Sequence, residues 1–164
     1  MIDLGEVTIG GQSAELWQRA MQEVGCMVGE LAMIILREGV LFVPKRTTIR
    51  LVAVSNQELG APEGAVWDRS YGLAVAKGLR KVSPEVAPAW RVVPAHLKRG
   101  EGLTIGMLPI EPATQIDLHI QAGSRMLTVE SSNFHVPWLS TMPAYREGKV
   151  GVPWGPEKIW VFAR

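Results

Sequence analysis

Cysteine is almost absent from this sequence, and its absence excludes two kinds of cross-link. The 164 residues contain one cysteine, Cys26, so the chain has no internal disulfide and no zinc cluster built from cysteines. Cys26 falls inside a stretch with a helical pattern, where a single cysteine behaves as a small buried hydrophobic residue. We therefore expect no nucleophile at this position.

A long hydrophobic run and a large net charge are also lacking. The longest apolar run, Val24 to Leu36, contains Glu30 and is shorter than the about 20 residues that cross a bilayer. The first residues do not have the basic-then-apolar order of a signal peptide. The formal net charge is only +1, so the molecule as a whole attracts neither nucleic acid nor an anionic membrane. We expect a soluble protein, made inside a cell, with no membrane partner and no specific nucleic-acid partner.

The composition that remains is that of an ordinary globular chain. Hydrophobic residues make up 47% of the sequence and charged residues 20%, a balance that argues against disorder. A chain of 164 residues is long enough to bury a sizeable core. We expect residues 1–164 to form a single domain.

The strongest pattern in the chain runs from Ser13 to Gly39. Its apolar positions are Trp17, Ala20, Met21, Val24, Met27, Val28, Leu31, Ile34 and Ile35. They recur every three or four residues, which is the spacing of one side of an α-helix. Ser13 is placed to cap the start of such a helix, and Gly39 to end it in the left-handed conformation. The pattern therefore predicts one long N-terminal helix.

Two features of this helix point to a second contact surface. The run from Leu31 to Leu36 is apolar on every side, so more than one neighbour has to cover it. Gly25, Gly29 and Ala32 form a strip of small residues, and each glycine in a helix interior costs about 1 kcal/mol relative to alanine, which implies a packing reason. One interpretation is a helix in the core of one domain, and the other adds contact with a neighbouring subunit. The helix residues of that candidate interface are Gly25, Gly29, Leu31 and Ile35.

The rest of the chain has the pattern of a second helix and several strands. Single strands are predicted over Glu6 to Ile9, Thr47 to Ser55, Leu103 to Ile110 and Lys158 to Ala163. A shorter helix is predicted over Val66 to Lys81, and residues 83–102 have the pattern of an irregular loop that is functional or contacts a partner. The clearest hairpin joins Gln115 to Gln121 with Arg125 to Ser131. It points Ile116, Leu118 and Ile120 inward and His119 outward.

These elements predict an α+β fold. We expect one long N-terminal helix and a shorter second helix packed on a mainly antiparallel sheet of about five or six strands.

No catalytic motif stands out, so we expect no enzyme, no cofactor and no metal. Ser13 lacks the glycine pattern of a nucleophile elbow, and Lys98 to Gly102 lacks the ending of a phosphate-binding loop. Asp117 and His119 share a strand face that His135 could approach, but a polar pair on a hairpin is usually solvated surface. His96 lies apart in sequence. The basic cluster of Lys45, Arg46 and Arg50 has no interleaved aromatic residues, which favours a solvated or inter-subunit surface over nucleic-acid binding.

The first third of the chain resembles a known family. Val7-Thr8-Ile9 and Gly11 precede the helix, and the segment from Val43 to Leu51 (VPKRTTIRL) follows it. This order is similar to the neck, or tail-completion, proteins of tailed bacteriophages over residues 7–55. In that family a short strand and a glycine precede a long helix, and a basic, threonine-containing segment then opens a β-sheet. The resemblance implies an α+β virion protein that forms a ring at the head–tail junction or caps the tail.

Our leading interpretation is a structural assembly protein of a phage particle, a head–tail connector made in the host cytoplasm and located in the virion. Its expected partners are copies of itself in a ring and other virion proteins. The alternative is a small enzyme or ligand-binding domain with a pocket near the 115–131 hairpin. A nucleic-acid-binding accessory protein is a third possibility, which the near-neutral charge disfavours.

Overall fold

The fold is taken from a computed structural model, which describes residues 1–37, 43–92, 97, 101–110, 124–131, 136–144 and 151–164. The elements follow in the order β1 (Ile2–Ile9), α1 (Ala14–Glu23), β2 (Met27–Val28), α2 (Glu30–Arg37), β3 (Thr47–Ser55), α3 (Asn56–Leu59), α4 (Trp67–Ala76), α5 (Val86–Val92), β4 (Gly102–Ile105), β5 (Arg125–Ser131), β6 (Pro137–Pro143) and β7 (Ile159–Ala163).

The strands form one sheet of seven, in the order β1-β3-β7-β4-β5-β6-β2. The pairs β4–β7 and β2–β6 are parallel, whereas the other neighbours are antiparallel. The protein is thus α+β, but the architecture predicted within that class is wrong. The sheet is mixed and has seven strands instead of five or six, and short helices take the place of one long N-terminal helix and a second shorter one.

The predicted helix from Ser13 to Gly39 breaks because Gly25 ends it early. The Ser13 side chain caps α1 as predicted, but Gly25 adopts a left-handed φ of +69°. The Gly25 N–H donates to the Gln22 carbonyl at 2.9 Å, and the Cys26 N–H donates to the Met21 carbonyl at 2.8 Å. These two bonds make a Schellman motif, the usual glycine-dependent end of a helix.

The chain then joins the sheet before it becomes helical again. Met27 and Val28 pair in parallel with β6, and the Gly29 N–H donates to the Leu139 carbonyl at 2.8 Å. The apolar spacing nevertheless continues from α1 into α2, because each helix buries one side of its own. The glycines that the sequence pattern suggested as a packing strip are instead a helix cap and the link to a sheet strand.

Helices pack on both faces of the sheet. Residues paired directly across neighbouring strands share a face, and on one face Val7, Leu51, Val161, Leu103 and Val129 are buried. Helix α5 packs on strands β1, β5 and β6, and it also contacts α1. On the opposite face α4 covers the centre of the sheet, where the Trp67 ring lies 5.0 Å from the Trp160 ring and 6.0 Å from the Phe162 ring, between centroids.

A buried carboxylate connects the first elements of the chain. Glu85 is 1% exposed, and its Oε1 accepts hydrogen bonds from the Gly10 N–H and the Trp17 Nε1, both at 2.9 Å. Its Oε2 accepts from the Val43 N–H at 3.0 Å. Because a buried charge is tolerated only when it is hydrogen-bonded, this residue holds the end of β1, the helix α1 and the segment before β3 against the start of α5.

A buried amide does the same for the later elements. Asn56 is 0% exposed, and its Nδ2 donates to the carbonyls of Trp154 and Gly155 at 3.2 and 2.9 Å. Its Oδ1 accepts from the Ser70 hydroxyl at 2.7 Å and from the Trp160 Nε1 at 2.8 Å. Asn56 therefore ties α3, α4, β7 and the segment before β7 together.

Other predicted elements are shifted or fall outside the described residues. The predicted helix over Val66 to Lys81 is the shorter α4, and β4 stops at Ile105, before the predicted Ile110. Helix α5 lies within residues 83–102, where we expected a loop. Its Pro88 stands in the first turn, where a missing N–H costs no helical hydrogen bond.

The predicted hairpin is described only in its second strand. Residues 111–123, with Ile116, Leu118, His119 and Ile120, lie outside the described residues. Its second strand is β5, which pairs with β6 on one edge and with β4 on the other.

The cap at Gly25 gives a direct test of the helix break. A side chain added to Gly25 meets nothing within 4 Å, so Gly25→Ala should lower the free energy of unfolding by about 1–2 kcal/mol through backbone strain alone. The matched control is Gly72→Ala, inside α4, where an added side chain also meets nothing within 4 Å. That change should raise the free energy of unfolding by about 0.5–1 kcal/mol. Urea unfolding measures both, and effects of the same sign would contradict the assigned helix break.

Candidate functional site

The helix residues of the predicted subunit interface do not share one surface. Gly25 lies in the turn after α1, and Gly29 lies just before α2. A side chain added to Gly29 would meet the Leu139 carbonyl oxygen and the Trp138 Nε1, each at 3.6 Å. Leu31 is half-buried, whereas Ile35 is 1% exposed. Ile35 is therefore covered by its own chain and offers no surface to a second subunit.

The basic residues of that interface lie together at the start of β3. Lys45 and Arg46 are exposed. Arg50 is also exposed, but its guanidinium forms a salt bridge with the Asp3 carboxylate across the β1–β3 pair. The hydrogen bond lowers the pKa of Asp3 and raises the pKa of Arg50. The positive charge of this cluster is thus partly neutralised within the chain.

The other predicted chemistry falls mostly outside the described residues. His96, Asp117, His119 and His135 all lie there, so the acid–base site considered from the sequence stays untested. In the described part of the chain, no group of three or more His, Cys, Asp or Glu residues could hold a metal ion. None of the described helices has the length and apolar character needed to cross a membrane.

A row of three hydroxyl side chains continues from Trp160 across one face of the sheet. Trp160 pairs with Thr104, which pairs with Thr128, which pairs in turn with Ser140. These residues occupy strands β7, β4, β5 and β6 and share one face of the sheet. Strand β5, the second strand of the predicted 115–131 hairpin, contributes Thr128 to this row.

Beside this row lies a lysine among aromatic rings, which we call the Lys158 site. Its members are Lys158, Glu130, Met142, Trp154 and Trp160. The Lys158 Nζ lies 5.0 Å from the centroid of the Trp154 ring and 5.6 Å from that of the Trp160 ring. It donates a hydrogen bond to the Met142 Sδ at 3.0 Å. The amine is therefore held by π-faces and a thioether, which are weak partners for a charged group.

Carboxylates lie near this amine without forming a close ion pair. Glu130 and Glu157 both favour its charged form, although no salt bridge within 4.0 Å joins Lys158 to a carboxylate of the described residues. Glu130 Oε1 accepts a hydrogen bond from the Thr128 hydroxyl at 2.7 Å. Burial outweighs both carboxylates and lowers the pKa of Lys158 to about 8. A larger share of this amine is therefore neutral near pH 7 than of an ordinary lysine, and a neutral amine is a nucleophile.

Sequence reasoning missed this site, although a signal for it was present. From the sequence, Lys158 is only the first residue of a predicted strand, and no site is predicted at Trp154 or Trp160. Lys158 and Trp160 are two residues apart, so in a strand they point to the same side. Trp154 precedes Lys158 by four residues, across the turn formed by residues 155–158. The contribution of Glu130 and Met142 depends on strand pairing that the sequence does not reveal.

Comparisons with protein-family models, with curated proteins and with solved structures found no significant match.

The buried amine predicts how stability depends on pH. Because the pKa of Lys158 is about 8 instead of 10.5, the unfolded chain binds more protons between these two values, and stability should rise with pH across that window. Below pH 8 the cost of burying the charge is fully present. Lys158→Met should therefore raise the free energy of unfolding at pH 7 by about 1–3 kcal/mol, and this gain should shrink as the pH approaches 10.5.

The control for this change is Lys77→Met at the exposed end of α4. It should alter the free energy of unfolding by less than about 0.5 kcal/mol at every pH. Urea unfolding at pH values from 6 to 10 tests the pair, and a gain from Lys158→Met that does not vary with pH would refute the assigned burial cost.

Proposed function

We propose that this protein is a structural assembly subunit of a tailed-bacteriophage particle, a neck or tail-completion protein that joins copies of itself into a ring. The observation that carries the proposal is the outer edge of β1. Among the described residues, β1 pairs only with β3 and stands at one end of the sheet. An edge strand with unpaired backbone groups is a ready template for a strand of another chain.

The orientation of the β1 backbone can be worked out from its partner strand. The Arg164 N–H donates to the Arg50 carbonyl at 3.0 Å, so the backbone groups of Arg50 point towards β7. Glu6 lies opposite Arg50, and its own N–H and C=O therefore point away from β3. Thr8, two residues further on, has the same orientation. These groups are the donors and acceptors that a neighbouring strand would use.

The opposite end of the sheet presents a different surface. Strand β2, at this end, is two residues long. Two apolar side chains are exposed here: Met27, in β2, has an exposed fraction of 51%, and Val24, which precedes β2, has one of 44%. Burying a side chain of this size is worth about 1.5–3 kcal/mol. Two unlike surfaces at the two ends of one sheet favour head-to-tail contacts, which close into a ring when the rotation between copies allows it.

The family resemblance supports the phage assignment through the strands and the basic segment. A strand and glycine, helical structure, and a basic segment that leads into the next strand occur here in the expected order. The single long helix is not part of this support, since α1, β2 and α2 occupy its place. Lys45 and Arg46 supply an exposed cationic surface at the start of β3, suited to an acidic surface on another virion protein.

Thr8→Pro tests the edge contact. Proline removes the outward N–H of Thr8 and is tolerated on an edge strand because that N–H takes no part in the β1–β3 pairing. Thr8→Ala is the matched control: both changes remove the hydrogen bond of 3.0 Å between the hydroxyls of Thr8 and Thr48, but alanine keeps the N–H. Native mass spectrometry should find rings for the wild type and Thr8→Ala, and smaller species for Thr8→Pro.

The outcomes that contradict the proposal are distinct. A wild-type protein that remains monomeric at its highest soluble concentration would refute self-assembly. Rings of unchanged size in Thr8→Pro would show that the contact does not use the outer edge of β1.

A further inference from the structure

We propose that Lys158 is a carbonyl-binding residue, whose amine forms an imine with an uncharged aldehyde that has an aromatic or apolar body. This activity goes beyond assembly and does not rest on it. The inference stands on the position of the amine over two indole rings, its contact with a thioether, and the two carboxylates that interact with it.

The walls of the site set the kind of molecule that fits. Lys158 and Trp154 are both half-buried, so each residue keeps some solvent-accessible surface, and the Nζ lies 5.0 Å from the centroid of the Trp154 ring. An aromatic aldehyde would stack on the Trp154 ring while its carbonyl carbon meets the Nζ. A polar aldehyde gains nothing from that ring.

The carboxylates set the charge of the molecule that fits. Glu130 and Glu157 both interact electrostatically with the Lys158 amine. They repel an aldehyde that carries a carboxylate or a phosphate. Glu130 is held by the Thr128 hydroxyl, so its charge remains close to the amine while a ligand binds. The site therefore selects against anionic aldehydes.

The reaction needs no further reactant. The nitrogen lone pair of the neutral amine attacks the carbonyl carbon, and the carbonyl π pair moves to oxygen. A proton passes from nitrogen to that oxygen to give a carbinolamine. The nitrogen lone pair then forms the C=N bond as the C–O bond breaks, and the hydroxyl group leaves with the remaining N–H proton as water. The product is an imine at Nζ plus one water molecule. Once protonated, the imine carries a positive charge, which the nearby Glu130 carboxylate stabilises.

Reductive labelling tests the inference on the intact protein. Benzaldehyde and sodium cyanoborohydride at pH 7 convert each imine into a stable benzylamine, which peptide mass spectrometry assigns to a residue. Lys158 should be labelled at least about tenfold faster than the exposed Lys45 and Lys77, because a larger share of its amine is neutral. Labelling of Lys158 no faster than of these two lysines would overturn the proposal.

Two further measurements separate a binding site from a merely reactive amine. The ratio of the labelling rate of Lys158 to that of Lys77 should be larger with benzaldehyde than with glyoxylate. Glu130→Gln should reduce the difference between these two ratios. Equal preference with the two aldehydes would overturn the assigned selectivity. Acetic anhydride, which reacts with the neutral form of an amine, should modify Lys158 at half of its maximal rate near pH 8, the pKa of Lys158, and a rate that keeps rising to pH 10 would count against the site.

The labelling result is independent of assembly. Lys158 should be labelled equally fast in the wild type and in Thr8→Pro, so failure of the ring proposal leaves this test intact. A loss of Lys158 labelling in Thr8→Pro would contradict the inference, because it would make the site depend on a neighbouring subunit.

Discussion

The hydrogen bonds of one buried amide hold together much of what is distinctive in this structure. Asn56 has both N–H donors and its carbonyl oxygen paired, to partners that come from α4, β7 and the segment before β7. A buried polar group left without its partner costs about 1–3 kcal/mol, so these elements are held in one arrangement. The same bonds hold Trp154 and Trp160, whose rings both lie near the Lys158 amine. The candidate site therefore depends on an amide that does not belong to it.

Glu85 plays the corresponding part at the other end of the molecule, with a charge instead of an amide. Its three donors lie 42 to 75 residues from Glu85 in the sequence. In addition, a side chain added to Gly10 would lie 2.2 Å from the Lys45 carbonyl oxygen. The end of β1 and the start of β3 are thus in close contact as well as hydrogen-bonded. This constraint keeps β1 in place at the edge of the sheet, with its outer backbone groups exposed.

Local patterns predicted local structure, and what they missed depends on distant partners. The strand over Thr47 to Ser55 and the cap at Ser13 are both present, since β-branched residues and a helix-capping hydroxyl act within a few positions. The end of α1 before Gly25 was missed because the apolar spacing continues beyond it, whereas the Gly25 cap and the pairing of β2 with β6 together explain why the chain turns there. The Lys158 site was missed for the same reason. Its members lie on β5, β6, β7 and a turn, and strand order decides that they meet.

The place of β7 in the sheet has a consequence for how the protein is made. It is the last strand in chain order, yet it lies between β3 and β4 and is the only link between β1–β3 and β4–β5–β6 in the described sheet. A ribosome that synthesises the chain from its N-terminus therefore produces both parts before the strand that joins them. Until then, β3 and β4 each present an unpaired edge, the kind of surface on which nascent chains aggregate. The complete sheet can therefore form only after β7 has been synthesised, and chaperones that bind extended segments can act on these edges until then.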